Sequence, residues 1–240
     1  MKLSYGGRTA LVLGGGSDMG LELVGRLLEE GLRVVPTHAS DTGRAAITER
    51  FPDLTSPRAE LGGNGFQELE PYLKDGVDYL VDLAQADLEA LLPSTGQEAD
   101  AYLEAHIAGR LRLLRAVTRS MLPRRFGRLV FVSSAAAALP APGQGLYGAA
   151  KRAGEGLYRS MGVELGPRGI TAVSLRLGLL DAGRGKRFLD GEDRRKRLGD
   201  RLVSLDQAVS TLVFLLSDQA LALTCTTITM DAGLTAQKYL

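Results

Sequence analysis

The stretch "RTALVLGGGSDMGLELVGRLLEEGLRVVPT" (Arg8–Thr37) decides the fold. Arg8–Gly14 is a short apolar run that ends in glycine. Met19–Gly31 repeats its apolar residues at helical spacing and stops at Gly31, a residue suited to a helix C-cap. Arg33–Thr37 reads as a second strand, with Pro36 tolerable near a strand end. Between the first strand and the helix lies "LGGGSDMG" (Leu13–Gly20), a turn of the kind that cradles a dinucleotide pyrophosphate at a helix N-terminus. Asp18 brings a negative charge to that turn.

The alternation continues along the chain. "DTGRAAITERF" reads as a helix, Pro57–Leu61 as a weak third strand and Val77–Ala84 as a strong fourth. A long helix spans about Asp100–Leu122, and Arg128–Ser134 is the fifth strand. A helix rich in small residues covers Tyr147–Gly166, followed by strands at Ile170–Leu177 and Thr226–Gly233. Short apolar strands separated by helices imply a parallel sheet covered on both faces. The expectation is one α/β domain over residues 1–240, Rossmann-type, doubly wound on a seven-stranded parallel sheet. Its ligand should sit at the carboxyl ends of the strands.

Bulk composition narrows the function classes. The 240 residues are 45% hydrophobic and 24% charged, with a net charge of +1, so nucleic acid is an unexpected partner. A single cysteine, Cys225, excludes an intramolecular disulfide. His38 and His106 are the only histidines, so no metal site is expected. The N-terminal apolar run is too short for a membrane span and lacks a signal-peptide layout, which points to a cytoplasmic protein.

The most specific stretch is "SSAAAALPAPGQGLYGAAK" (Ser133–Lys151). Ser134, Tyr147 and Lys151 have the spacing of the short-chain dehydrogenase/reductase active site. "GRLVFVSS", "VELGPRGITAVSLRLG" and the tail "TCTTITMDAGLT" extend the likeness. Over essentially the whole chain the sequence resembles that family, nearest in pattern to the bacterial 3-oxoacyl-carrier-protein reductases. Tyr147 and Lys151 are four apart and share a helix face. An ammonium beside a phenol favours the phenolate and lowers its pKa from roughly 10. Tyr147 can then exchange a proton with a substrate oxygen near neutral pH, while Ser134 hydrogen-bonds the same oxygen.

The resemblance implies further residues. His106 stands where the family has the asparagine of its proton relay, and two readings stay open: a relay through water, or packing alone. Cofactor contacts are expected from Gly14, Gly16, Ser17, Asp18, Met19, Gly20, His38, Glu60, Leu61, Ala84, Tyr147, Lys151, Gly178 and Leu180. No acid stands at His38, and Thr37, His38 and Ser40 could face a 2′-phosphate with Arg44 nearby, so NADP(H) is favoured over NAD(H). Residues 182–202 fall where the family has its substrate lid. Arg125 and Arg168 match positions that dock acyl carrier protein. The helix with Arg110, Arg112, Arg115 and Arg119, and the helix with Gly148, Gly154 and Gly156, match subunit interfaces of a homotetramer or dimer, with tight packing inside one subunit as the alternative.

The sequence also departs from the family pattern. Leu13 and Asp18 replace a threonine and a glycine of the turn. Asp82-Leu83-Ala84-Gln85 replaces Asn-Asn-Ala-Gly, Leu177-Gly178 replaces Pro-Gly, and Ala182 replaces a threonine. Asp18 leaves open a cofactor loop with weakened phosphate contacts or a helix capped by its own carboxylate that binds nothing. The expected activity is NADPH-dependent reduction of a 3-ketoacyl thioester, bound to acyl carrier protein or CoA, in fatty-acid or polyketide synthesis. The alternatives are a noncatalytic or cofactor-poor binding subunit, and a reductase of a small free ketone or sugar.

Overall fold

Six parallel strands form one sheet in the order β2-β1-β3-β4-β5-β6. They are β1 (Thr9–Leu13), β2 (Arg33–Pro36), β3 (Tyr79–Asp82), β4 (Gly127–Ser134), β5 (Ile170–Leu177) and β6 (Thr226–Met230). The computed structural model describes residues 2–63, 65–86, 94–139, 142–182 and 202–236. The helices are α1 (Asp18–Glu29), α2 (Asp41–Arg50), α3 (Glu70–Asp75), α4 (Gly96–Leu103), α5 (Arg110–Met121), α6 (Gly145–Leu165) and α7 (Leu205–Leu216).

Successive strand residues point to opposite faces, and β1 shows the result. Ala10 and Val12 pack with Leu23, Leu27, Val209 and Leu212 of α1 and α7. Leu11 and Leu13 join Leu113, Val117, Phe131 and Tyr158 on the α5/α6 side. A sheet buried on both faces needs continuously apolar strands, and β1 is buried at all five positions.

Among the described residues the sheet has six strands, where seven were expected. Pro57–Leu61 makes only an isolated bridge between Arg58 and His38. Its ladder fails for a local reason. The bridge consists of His38 N–H to Pro57 O and Ala59 N–H to His38 O; the ladder goes no further because Pro36 and Pro57 carry no amide hydrogen and Ser40 already caps α2. The expected long helix over Asp100–Leu122 is continuous, with a π-helical turn, Glu104–Gly109, joining α4 to α5. The segment 183–201 of the expected lid lies outside the described residues; at its edge Leu180 bridges Val203. Among the described residues, no helix is long and apolar enough to cross a membrane.

Arg128, at the amino end of β4, is fully buried, and no carboxylate pairs with it among the described residues. Its guanidinium donates to the carbonyls of Leu215, Ala220, Leu221 and Leu223 and to the Thr171 hydroxyl. These carbonyls gather where α7 ends, the negative end of a helix dipole. Burial pushes the guanidinium down to about 10, so it stays charged at neutral pH. Arg128→Met strands these acceptors and should lower unfolding free energy by about 3 kcal/mol in urea titrations. A loss below about 1 kcal/mol would contradict this role.

Candidate active site

Parallel strands present their carboxyl ends at one edge, and the expected site residues gather there. Ser134 ends β4, and its Oγ accepts the Ala136 amide at 3.2 Å, which leaves the hydroxyl proton to donate outward. Tyr147 and Lys151 lie in the first two turns of α6, which packs on β4 and β5. Lys151 is 4% exposed; its Nζ donates to Val132 O at 2.8 Å and stands 5.8 Å from the centre of the Tyr147 ring. A partly buried phenol beside a buried ammonium is suited to proton exchange.

The glycine turn sits at the carboxyl end of β1. Gly14 has φ +74°, a conformation glycine adopts without strain. A Cβ at Gly20 would lie 2.3 Å from Gly14 O, so the turn closes on its helix only with glycine there. Ser17, and not Asp18, caps α1: its Oγ accepts the Gly20 amide at 3.1 Å and donates to Gly14 O at 2.8 Å. Asp18 is the first helical residue and is exposed. The turn and the α1 N-terminus therefore fit a pyrophosphate in shape, with one carboxylate opposing it in charge.

Comparison with known proteins settles the lineage. Residues 64–235 match the family described as Enoyl-(Acyl carrier protein) reductase. The 3-oxoacyl-[acyl-carrier-protein] reductase of Vibrio cholerae is 30% identical over 239 residues, covering 95% of this chain and 97% of that protein. The chain belongs to the short-chain dehydrogenase/reductase family. Carbonyl reductase [NADPH] 2 of Sus scrofa is 27% identical, covering 97% of this chain and 98% of its own. A solved structure described as a short chain dehydrogenase/reductase family protein superposes with a TM-score of 0.81 at 27% identity, covering 98% of this chain and 100% of that one.

Of the residues expected on the cofactor side, several have partners within the protein. Thr37 is buried, with its Oγ1 accepting the Gly14 amide at 3.3 Å; His38 Nδ1 meets Ser56 Oγ at 2.8 Å; Ser40 caps α2. Each of the three thus has a structural partner, and Arg44 and Arg58 are exposed cations near His38. Burial first, then the charge of Arg44, holds the His38 imidazole below its ordinary 6.5. Glu60 pairs with Arg58 at 2.6 Å, and the Leu61 carbonyl packs where a Cβ at Gly109 would fall. Met19 is half-buried and packs against the α1/α7 core. A Cβ at Gly16 would lie 2.4 Å from Gly43 O, so α2 seats directly on the turn. Gly178 follows β5 with its amide on Met230 O at 2.9 Å.

The loop after β3 is anchored by groups that motif comparison alone misses. Asp82, wholly buried, accepts the Ala84 amide, Arg110 Nε at 2.7 Å and the Tyr158 hydroxyl at 3.0 Å. Arg110 also donates to His106 O at 2.7 Å and Ala84 O at 2.8 Å. His106 is 2% exposed, and its Nε2 accepts the Ala86 amide at 3.1 Å. Gln85 bonds the Tyr102 hydroxyl. Arg110 is therefore an interior residue, which corrects its expected place on a subunit interface. Its position was legible: Arg110, Leu113, Leu114, Val117 and Met121 form one helical stripe, so the cation had to be buried and needed an acid.

The small residues of α6 divide likewise. A Cβ at Gly154 would strike the Phe131 ring at 2.4 Å, and one at Gly148 would lie 2.8 Å from Ala136 O, so both serve packing within the chain; Gly156 faces open space. Arg125 donates to Pro167 O at 3.0 Å, which places it beside Arg168. Both precede the amino ends of β4 and β5, the edge opposite Ser134, about 25 Å away along eight residues of strand.

Burial alone would raise the Asp82 carboxyl, but the charge and hydrogen bond of Arg110, with Lys151 and Tyr158, hold it below the usual carboxylate range. Its contribution to stability is complete above the unfolded value of about 3.9 and is lost as pH falls through the lower folded value. Asp82→Asn should cost about 3 kcal/mol at pH 7, with the gap to wild type narrowing below about pH 4 in urea titrations. A gap unchanged with pH would contradict this assignment.

Proposed function

We propose that this oxidoreductase reduces a 3-ketoacyl thioester, on acyl carrier protein or CoA, to the 3-hydroxyacyl product with NADPH. The observation that carries this reading is the Lys151 ammonium 5.8 Å from the Tyr147 ring, on the helix that follows Ser134. The similarity to a 3-oxoacyl-[acyl-carrier-protein] reductase supports the substrate class.

The nicotinamide, when bound, supplies the hydride to the keto carbon. Ser134 donates a hydrogen bond to the keto oxygen and holds the carbonyl. Tyr147 donates the proton that this oxygen acquires, and Lys151 stabilises the phenolate left behind. The turn Gly14–Gly20 and the α1 N-terminus hold the pyrophosphate, with Arg44 the cation available to a 2′-phosphate. His106 acts through the Ala86 amide by fixing the loop after β3. Arg125 and Arg168 are the basic pair for an acidic carrier protein. Docking there leaves the acyl group a strand's length from Ser134, or delivers it to a second copy.

Two other readings have a specific observation behind them. Similarity to a carbonyl reductase supports a small free ketone as substrate. Asp18 at the first position of α1 supports a cofactor-poor subunit.

Calorimetric titration separates these readings. Wild type should bind NADPH saturably at micromolar Kd, and Asp18→Gly should tighten binding about fivefold by removing a like charge. Tyr147→Phe should keep NADPH binding and lose turnover on a ketoacyl thioester. No binding by wild type, restored in Asp18→Gly, would overturn the reductase reading. A small ketone turned over faster than the thioester would reassign the substrate.

A further inference from the structure

A tie that the reaction itself does not use runs between the end of β3 and the start of α5. The Arg110 side chain is 0% exposed, and its guanidinium serves three separate segments. Nε donates to Asp82 Oδ2 at the end of β3 at 2.7 Å, Nη2 to Ala84 O in the following loop at 2.8 Å, and Nη1 to His106 O in the π-helical turn at 2.7 Å. The third bond has a backbone cause. The Arg110 amide bonds Ala105 O and Ile107 O and passes over His106 O, the carbonyl that a regular α-helix would offer it. The side chain of the same residue takes that carbonyl.

Both segments held in this way touch residues expected at the cofactor. Leu83 donates its amide to Leu13 O at 3.2 Å, and a Cβ at Gly14 would lie 3.4 Å from Leu83 Cβ, so the loop after β3 lies against the glycine turn. On the other side, a Cβ at Gly109 of the π-helical turn would fall 1.7 Å from Leu61 O, and one at Gly62 would lie 3.8 Å from Ala105 Cβ. In a dinucleotide fold the turn after β1 takes the pyrophosphate and the end of β2 takes the adenosine ribose. Leu61 follows the segment that bridges His38 at the end of β2, so it stands on the adenosine side. Apolar packing limits how closely such segments approach, whereas three bonds from one rigid plane fix them relative to one another.

We propose that Arg110 is a positioning residue for the adenosine–pyrophosphate half of the dinucleotide. Through Ala84 O it sets the loop after β3 against the glycine turn, and through His106 O it sets the π-helical turn against Leu61. The proposal rests on the glycine turn as a dinucleotide site. The role is specific to arginine. A lysine ammonium keeps a charge for Asp82 but has no planar fork to span carbonyls on two separate segments. The ion pair is therefore separable from the positioning.

The test is calorimetric titration with ADP-ribose, which carries the adenosine and pyrophosphate and needs no turnover, joined to amide hydrogen exchange. Arg110→Lys should remain folded by circular dichroism, weaken ADP-ribose binding about tenfold and speed exchange at residues 83–86. Asp82→Leu/Arg110→Met removes both charges, so no unpaired ion stays buried, and it keeps the test open if the lysine variant does not fold. The double should show the same loss of affinity and the same faster exchange. Wild-type affinity in either folded variant, or weaker binding with exchange at residues 83–86 unchanged, would overturn the proposal and leave the reductase reading standing. Failure of wild type itself to bind ADP-ribose would overturn both.

Discussion

A sheet buried on both faces has only its strand ends free for chemistry, and this constraint gathers Ser134, Tyr147, Lys151 and the glycine turn. The parallel direction of all six strands brings the turn after β1, the loop after β3, Ser134 after β4 and Gly178 after β5 to one edge. Helix α6 completes the edge by laying Tyr147 and Lys151 across it. The opposite edge is closed by Arg128 and the carbonyls at the end of α7.

The fold was legible because its signals are local and repeated. Apolar strands, Gly14, Gly31 and the stripe of α1 all announce a parallel α/β sheet. The third expected strand failed because Pro36 and Pro57 lack the amide hydrogens that would extend its ladder with β2, and Ser40 turns the chain into α2. The spacing of Ser134, Tyr147 and Lys151 was legible, and the fold brings all three to one edge of the sheet. The capping of α1 was not legible: Ser17 and Asp18 are both capable, and backbone geometry chose Ser17.

The wall of the site was the least legible part. Asp82 reads as a lost asparagine and Arg110 as a surface charge when each is taken alone. Together they form a buried pair twenty-eight residues apart in sequence that no short motif contains. The helical stripe through Arg110 is the signal that was present in the sequence, and a buried cation demands an acid. Thr37, His38 and Ser40 show the converse: residues chosen for a phosphate contact have hydrogen-bond partners within the protein.

The account stands on hydride delivery to a carbonyl held by Ser134 and protonated by Tyr147. The most direct measurement uses NADPH carrying deuterium at both C4 positions of the nicotinamide with a 3-ketoacyl thioester, and mass analysis of the product. One deuterium at C3 of a 3-hydroxyacyl thioester, absent with Tyr147→Phe, is the predicted result. A 3-hydroxyacyl product without deuterium, or no product from an enzyme saturated with the cofactor, would contradict the account.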